Sequence, residues 1–147
     1  MTEGYLWTRP TKKAKRGESR TMPGDMKTPG LDHPITIEPN SARIVVRFGD
    51  LVIADTTSAL TLREASYAPV HYIPFGDVNQ NVLMRSNTTT YCPYKGDASY
   101  YTIMVQDRDL TDAAWTYEEP YPAVKEIASY LAFYPEHVQF TVDAVAD

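Results

Sequence analysis

A short polar segment in the middle of the chain combines the residue types most able to do chemistry. It spans residues 88–97 and contains Cys92, Lys95 and Asp97, and we expect it to form a loop. A positive charge near a thiol favours the nucleophilic thiolate, so the ammonium group of Lys95 could activate Cys92. The alternative is structural, because a lone cysteine commonly serves as a small buried hydrophobic residue.

An enzyme built on Cys92 also needs a base, and Glu64 and His71 are the candidates. The catalytic hypothesis therefore comprises Cys92 as nucleophile, Lys95 as the group that lowers its pKa, and Glu64 as base. It predicts that Cys92 is alkylated much faster than a model thiol at neutral pH. Ordinary or slower alkylation would contradict it.

An arginine at the end of a predicted strand offers a possible anchor for an anion. Arg63 directly precedes Glu64, and its guanidinium group can bind a carboxylate or a phosphate through two parallel hydrogen bonds. The alternative is a local ion pair that anchors a loop. We favour this local interpretation, while keeping Arg63 among the candidate ligand-binding residues.

Aromatic residues are frequent, with 11 tyrosines and 2 tryptophans. Many of them lie on predicted strands or beside them, where they usually form the core of a sheet. Aromatic walls could also stack on a planar ligand. The predicted ligand-binding set combines these aromatic residues with the polar ones: Arg63, Tyr72, Asp97, Tyr100, Trp115 and Tyr117.

Neither a metal nor a cofactor is predicted. One cysteine and 3 scattered histidines do not supply a four-ligand zinc site. The pair Asp107 and Asp109 is interpreted as a solvated hairpin turn. The phosphate-binding and nucleophile motifs GxxxxGK[ST], GxGxxG and GxSxG do not occur.

The charge divides the chain into two parts. Of its 14 lysines and arginines, seven lie in residues 1–33, together with only four of the 19 acidic residues. This segment also contains several prolines and glycines, and it is predicted to be a basic, partly flexible arm that could contact a protein partner. Residues 34–147 are predicted to form a single β-rich domain. Because that domain is acidic, nucleic-acid binding is not expected.

The location is predicted to be cytoplasmic. A lone cysteine suits a reducing compartment, and the first residues lack the basic and apolar regions of a secretory signal. No apolar run approaches the roughly 20 residues that a membrane-spanning helix requires, so no membrane association is expected.

Short segments with alternating apolar and polar residues predict a mostly β fold of antiparallel sheets. Gly49 and Asp50 form a two-residue loop typical of a tight hairpin. Residues 122–134 differ, because their apolar side chains recur at helical spacing and predict one C-terminal amphipathic helix. The predicted strands cover residues 35–37, 42–48, 51–55, 59–65, 70–74, 98–106, 110–117 and 137–143.

Several of these segments together resemble a known family, the domain of unknown function 427 (DUF427). They are LREASY at 62–67, VHYIP at 70–74, TYCPYKGDASY at 90–100, AAWTY at 113–117, PYPAV at 120–124 and LAFYP at 131–135. The resemblance covers residues 34–143 approximately. It implies a compact β-tent-like fold and carries the label nucleotidyltransferase-like.

Three functions follow as hypotheses. The first is binding of a small molecule in a polar and aromatic pocket around Cys92 and Lys95. The alternative is a protein-interaction module without catalysis, which uses the arm of residues 1–33. The second alternative is nucleotidyl transfer, which requires carboxylates that hold a divalent metal against a triphosphate.

Overall fold

Antiparallel β-strands make up most of the protein. The structure is a computed structural model, and it describes residues 26–143. Its ten strands are β1 (Ile35–Asn40), β2 (Arg43–Phe48), β3 (Leu51–Thr56), β4 (Ala59–Glu64), β5 (Val70–Pro74), β6 (Leu83–Cys92), β7 (Gly96–Val105), β8 (Arg108–Thr116), β9 (Tyr130–Phe133) and β10 (Gln139–Asp143). The predicted mostly β, antiparallel fold class is confirmed.

In the described part of the chain, three short 3₁₀ helices lie between the strands. They span Phe75–Asp77, Gln80–Val82 and Pro122–Ile127. No helix in the described part of the chain is both long enough and apolar enough to cross a membrane.

The strands form two sheets. The large sheet has seven strands in the order β1-β4-β5-β9-β8-β7-β6, and the small sheet has three in the order β10-β2-β3. The predicted tight hairpin joins β2 to β3, where Phe48 pairs with Leu51 and Gly49 adopts a φ of 59°. Glycine suits this position because a side chain would strain a left-handed backbone.

The large sheet is buried on both faces. Consecutive residues of one strand point to opposite faces, and Tyr72 and Ile73 of β5 accordingly belong to two different core clusters. One cluster includes small-sheet residues and is called here the aliphatic cluster: Ile44, Val46, Ile53, Ile73, Ile103 and Leu131. The other is called the aromatic cluster and extends to the last 3₁₀ helix: Tyr72, Tyr100, Trp115, Tyr117, Val124 and Ile127.

The predicted C-terminal helix over residues 122–134 is wrong. Only Pro122–Ile127 is helical, as a 3₁₀ helix that is kinked at Val124, and Ser129 then adopts a left-handed φ of 64°. The rest of the segment is β9, which pairs with β5 on one side and β8 on the other. Backbone groups buried in a sheet need partners, and an extended segment between β5 and β8 satisfies groups on both strands.

The predicted loop over residues 88–97 is also wrong. Most of it belongs to β6 and β7, which pair as a hairpin around a tight turn at residues 93–95. The strand β6 was not predicted, because its central residues are polar and lack a clear alternation of apolar side chains.

The predicted basic arm is described only over its last residues, 26–33. The amide of Lys27 donates to the carbonyl of Pro93 at 2.8 Å, so this part of the chain lies against the β6–β7 turn. Residues 1–25, which include most of the basic side chains assigned to the arm, lie outside the described residues.

Candidate functional site

A buried ion pair lies at the end of β4. The ammonium group of Lys95 is 2.5 Å from Oε1 of Glu64, and the two side chains are 2% and 3% exposed. A second partner, Nε2 of His33, lies 2.7 Å from Oε2 of the same carboxylate. Charges withdrawn from water are stable only when they are paired and hydrogen-bonded, and this geometry meets that requirement for Glu64.

The turn that carries Lys95 is held in place by backbone contacts. The amide of Lys95 donates to the carbonyl of Cys92 at 3.2 Å, and its own carbonyl accepts from the amide of Tyr121 at 3.0 Å. The next residue, Gly96, has a φ of 104°, and a Cβ there would meet the Tyr121 nitrogen at 3.5 Å. The turn therefore directs the ammonium group inward, towards β4.

His33 is a part of this site that the sequence did not reveal. Its ring stacks on Tyr94 with a centroid distance of 4.0 Å and an interplanar angle of 6°, and Tyr67 approaches it edge-on at 6.3 Å. The sequence separation of 31 residues between His33 and Glu64 explains why no local pattern pointed to the pair.

Cys92 lies at the end of β6 and is partly buried. It packs against the aromatic cluster. The catalytic hypothesis joined Cys92 to Lys95 and Glu64, and the structure brings Lys95 and Glu64 into direct contact. The nucleophilic role of Cys92 stays a prediction.

Four of the predicted ligand-binding residues are core residues. Tyr72, Tyr100, Trp115 and Tyr117 are each 2% exposed or less. Burial raises the pKa of Tyr72 and of Tyr117 well above the ordinary tyrosine value, and for Tyr72 the hydrogen bond from Trp115 offsets part of this rise. These hydroxyls therefore stay protonated at neutral pH.

Hydrogen bonds link most of these aromatic side chains. The indole N–H of Trp115 donates to the Tyr72 hydroxyl at 3.3 Å, and the hydroxyls of Tyr100 and Tyr134 lie 3.2 Å apart. The hydroxyl of Tyr117 differs, because it is buried and has no hydrogen-bond partner among residues 26–143.

The two remaining predicted residues, Arg63 and Asp97, are exposed. Asp97 lies in β7 and pairs with Tyr91, whereas Arg63 lies in β4 and pairs with Thr36. Arg63 forms no ion pair with another residue of the described range 26–143, so the predicted local pair with Glu64 is absent there.

An open groove of about 350 Å³ lies where β10 of the small sheet meets the large sheet. Its walls are mostly apolar and come from β5, β8, β9 and β10. They include Val70, Trp115, Phe133, Val138, Phe140 and Val142. Trp115 is the one residue of the predicted ligand-binding set that lines it.

A histidine adds polarity to this groove. His71 lies on β5, opposite Thr61 of β4, and its Nδ1 is 3.0 Å from the Thr61 hydroxyl. Burial lowers the pKa of His71 below its ordinary value of 6.5, and the positive charge of Arg63 lowers it further. His71 is therefore neutral at pH 7.

No group of three or more histidine, cysteine, aspartate or glutamate side chains within residues 26–143 is arranged to hold a metal ion.

Comparison with known proteins identifies the family. The model of the family described as "Domain of unknown function (DUF427)" matches residues 36–144, which is more than half of the chain. The chain belongs to the DUF427 family, and the resemblance expected from the sequence is confirmed. No curated protein matches it significantly.

Proposed function

We propose that this member of the DUF427 family binds a small, flat and largely apolar molecule in the groove between β10 and the large sheet. The observation that carries the proposal is the groove itself, with a volume of about 350 Å³ and an aromatic wall that includes Trp115. Ligand sites in proteins are typically concave, apolar and about 300–1,000 Å³ in volume, with a few polar groups that orient the ligand.

Burial favours the groove over the turn at Cys92 and Lys95 as the binding site. Lys95 and Glu64 are nearly inaccessible to solvent, and each neutralises the other. A ligand at that turn would have to displace a buried charge from its partner, which costs several kcal/mol. A ligand in the groove displaces only water from apolar walls.

Thermal unfolding of the full chain with a panel of small aromatic and heteroaromatic compounds tests the proposal. A compound that binds only the folded state at 100 times its Kd should stabilise the protein by about 2.7 kcal/mol. For a domain of this size the unfolding temperature should rise by roughly 5–10 °C. If no compound raises it, the proposed function is wrong.

Two phenylalanines provide a matched pair of variants. Phe140 lines the groove and Phe48 does not, yet both are partly buried and pack against the aliphatic cluster. Phe140→Ala should weaken binding about 10-fold, equivalent to about 1.4 kcal/mol of lost contact. Phe48→Ala should leave the Kd unchanged. Equal effects of the two substitutions would place the ligand elsewhere.

A second candidate is a protein-interaction role for the arm of residues 1–33. Its supporting observation is Leu31, an apolar side chain that lies fully in solvent on the turn between Gly30 and His33. Leu31→Asp should abolish co-purification of a partner that Leu31→Met retains, with no change in unfolding temperature. A partner that binds both variants equally would remove this candidate.

A further inference from the structure

A chain of hydrogen bonds leads from the backbone to the groove. The amide of Ala42 donates to Oδ1 of Asn40 at 3.0 Å, and Nδ2 of Asn40 donates to the Thr61 hydroxyl at 3.0 Å. The same hydroxyl lies 3.0 Å from Nδ1 of His71, which lines the groove.

The first donor in this series of hydrogen bonds determines which atom donates and which accepts in each of the others. A backbone N–H can only donate, so the atom that it contacts on Asn40 is the carbonyl oxygen, and the NH₂ group faces Thr61. Thr61 is 4% exposed and therefore needs an acceptor for its own hydrogen. Nδ1 of His71 is the acceptor that the hydroxyl contacts.

The histidine is thereby held in one tautomer. Because Nδ1 of His71 accepts from Thr61, the single proton of the neutral ring resides on Nε2. The low pKa of His71 keeps the ring neutral at pH 7. His71 therefore offers the groove one uncharged N–H donor, and a ligand that meets it must present an acceptor.

A cation lies beside this donor. Thr61 and Arg63 are two residues apart on β4 and share the face that carries His71 on β5. Diagonal neighbours of this kind are about 7–8 Å apart, within reach of a long arginine side chain. Glu38 lies opposite Thr61 on β1 but forms no ion pair with Arg63. Since Arg63 has no ion-pair partner among residues 26–143, its guanidinium group can pair with a ligand anion.

The acidic residues nearest the groove in sequence have other contacts. Asp143 follows Val142 and pairs in register with Arg43, whose pKa its charge helps to raise. Glu136 is exposed and interacts with another residue of the protein. On the face that carries His71, the charged neighbours are thus Arg63 on β4 and Glu38 on β1.

We propose that the ligand of the groove is an aromatic carboxylate. Its ring would lie against Trp115 and Phe140, and its carboxylate would accept the Nε2 proton of His71 and pair with Arg63. This inference rests on the proposed function and deepens it, since it names the ligand class. Asn40 and Thr61 serve as positioning residues, which act through the orientation and tautomer of His71.

The test compares two probes of nearly the same shape, the anion naphthoate and its neutral amide naphthamide, by titration of the full-length protein at pH 7.5. Wild type should bind naphthoate about 10-fold more tightly than naphthamide. Arg63→Gln should abolish this preference by weakening naphthoate alone. Arg108→Gln, which removes another exposed arginine that does not line the groove, should preserve the preference.

A histidine variant tests the donor separately. His71→Asn places an amide oxygen near the position of Nδ1, so it can keep the contact with Thr61, but it lacks the Nε2–H group. It should weaken both probes, because a carboxylate and an amide carbonyl both need that donor. Thr61→Val should weaken them less, and Thr61→Ser should restore wild-type affinity.

The outcomes distinguish this inference from the function on which it rests. The proposal of a carboxylate ligand is wrong if wild type binds the two probes with equal affinity. It is also wrong if Arg63→Gln keeps the preference for naphthoate. Suppose that neither probe binds, but that a neutral compound binds and Phe140→Ala weakens its binding. The proposed carboxylate ligand is then wrong, while the groove remains the binding site. If nothing binds, both proposals fall.

Discussion

The two faces of the large sheet are buried to similar extents but are stabilised in different ways. The aliphatic cluster joins side chains from both sheets, such as Ile53 and Ile73, which need only a matching shape. The aromatic cluster buries hydroxyls and an indole N–H, and the ion pair of Glu64 and Lys95 is buried as well. Such groups need specific partners, so the second face should tolerate fewer substitutions that conserve volume.

The largest expected effect comes from the ion pair. Lys95→Met should lower the free energy of unfolding by about 3–5 kcal/mol, because it leaves the buried Glu64 carboxylate with His33 as its one remaining polar partner within residues 26–143. Urea denaturation measures this loss. If the loss is below about 1 kcal/mol, the pair contributes no more than a surface ion pair.

A double variant distinguishes two causes of this loss: the missing attraction between Lys95 and Glu64, and the cost of leaving the Glu64 charge buried without its partner. Lys95→Met combined with Glu64→Leu removes both charges, and an apolar replacement of a buried pair is often neutral. The double variant should therefore recover about half or more of the stability lost in Lys95→Met. A double variant less stable than the single would contradict the stranded-charge explanation.

A smaller loss is expected when one hydrogen bond of the aromatic cluster is removed. Tyr72→Phe leaves the buried indole N–H of Trp115 without an acceptor, which should cost about 1–3 kcal/mol. On the other face, Ile73→Val removes one methylene and should cost about 0.5–1.5 kcal/mol. Thermal or urea unfolding of both variants measures the two losses of stability. A larger loss in Ile73→Val than in Tyr72→Phe would contradict the proposed difference between the two faces.

Tyr117 should be the exception within the aromatic cluster. Its hydroxyl is buried without a hydrogen-bond partner among the described residues, so Tyr117→Phe removes no bond and relieves a desolvated group. We expect a change within about 0.5 kcal/mol or a gain in stability. A loss above about 1 kcal/mol in urea denaturation would show that the hydroxyl has a partner.

The smallest effect is a dependence on pH through His71. Its pKa is lower in the folded chain than its ordinary value of 6.5, so the unfolded chain binds the proton more readily. Stability from this group is therefore complete above about pH 6.5 and falls as the pH drops towards the folded pKa. Urea denaturation at several pH values should show that the free energy of unfolding declines less steeply below pH 6.5 in His71→Asn than in wild type. Equal slopes in the two proteins would contradict this role of His71.

Much of the sheet could be predicted because its signal is local. Side chains of a strand alternate between faces whatever the strand pairs with, so Ile44 and Val46 already indicated an inward face of β2. The same reasoning failed for residues 122–134. Val124, Ile127 and Leu131 have helical spacing, yet Leu131, Ala132 and Phe133 are all buried in a strand covered on both faces.

The candidate sites show a similar division. Residue type alone indicated that Lys95, Glu64, Arg63 and Trp115 could contact one another or a ligand, but it did not show which of them are accessible. Trp115, Lys95 and Glu64 are all 3% exposed or less, but of these three only Trp115 lines the groove. Accessibility depends on how β10 meets the large sheet, and no local pattern records that contact.

The sequence by itself determined the family, the mostly β class and the inward-facing residues of most strands, since each depends on residues close together in the chain. The tertiary structure alone decided that residues 130–133 form a strand, that His33 and Lys95 meet on Glu64, and that His71 faces a groove. The physical reason is that backbone hydrogen bonds, buried charges and cavities are satisfied or formed between segments far apart in sequence.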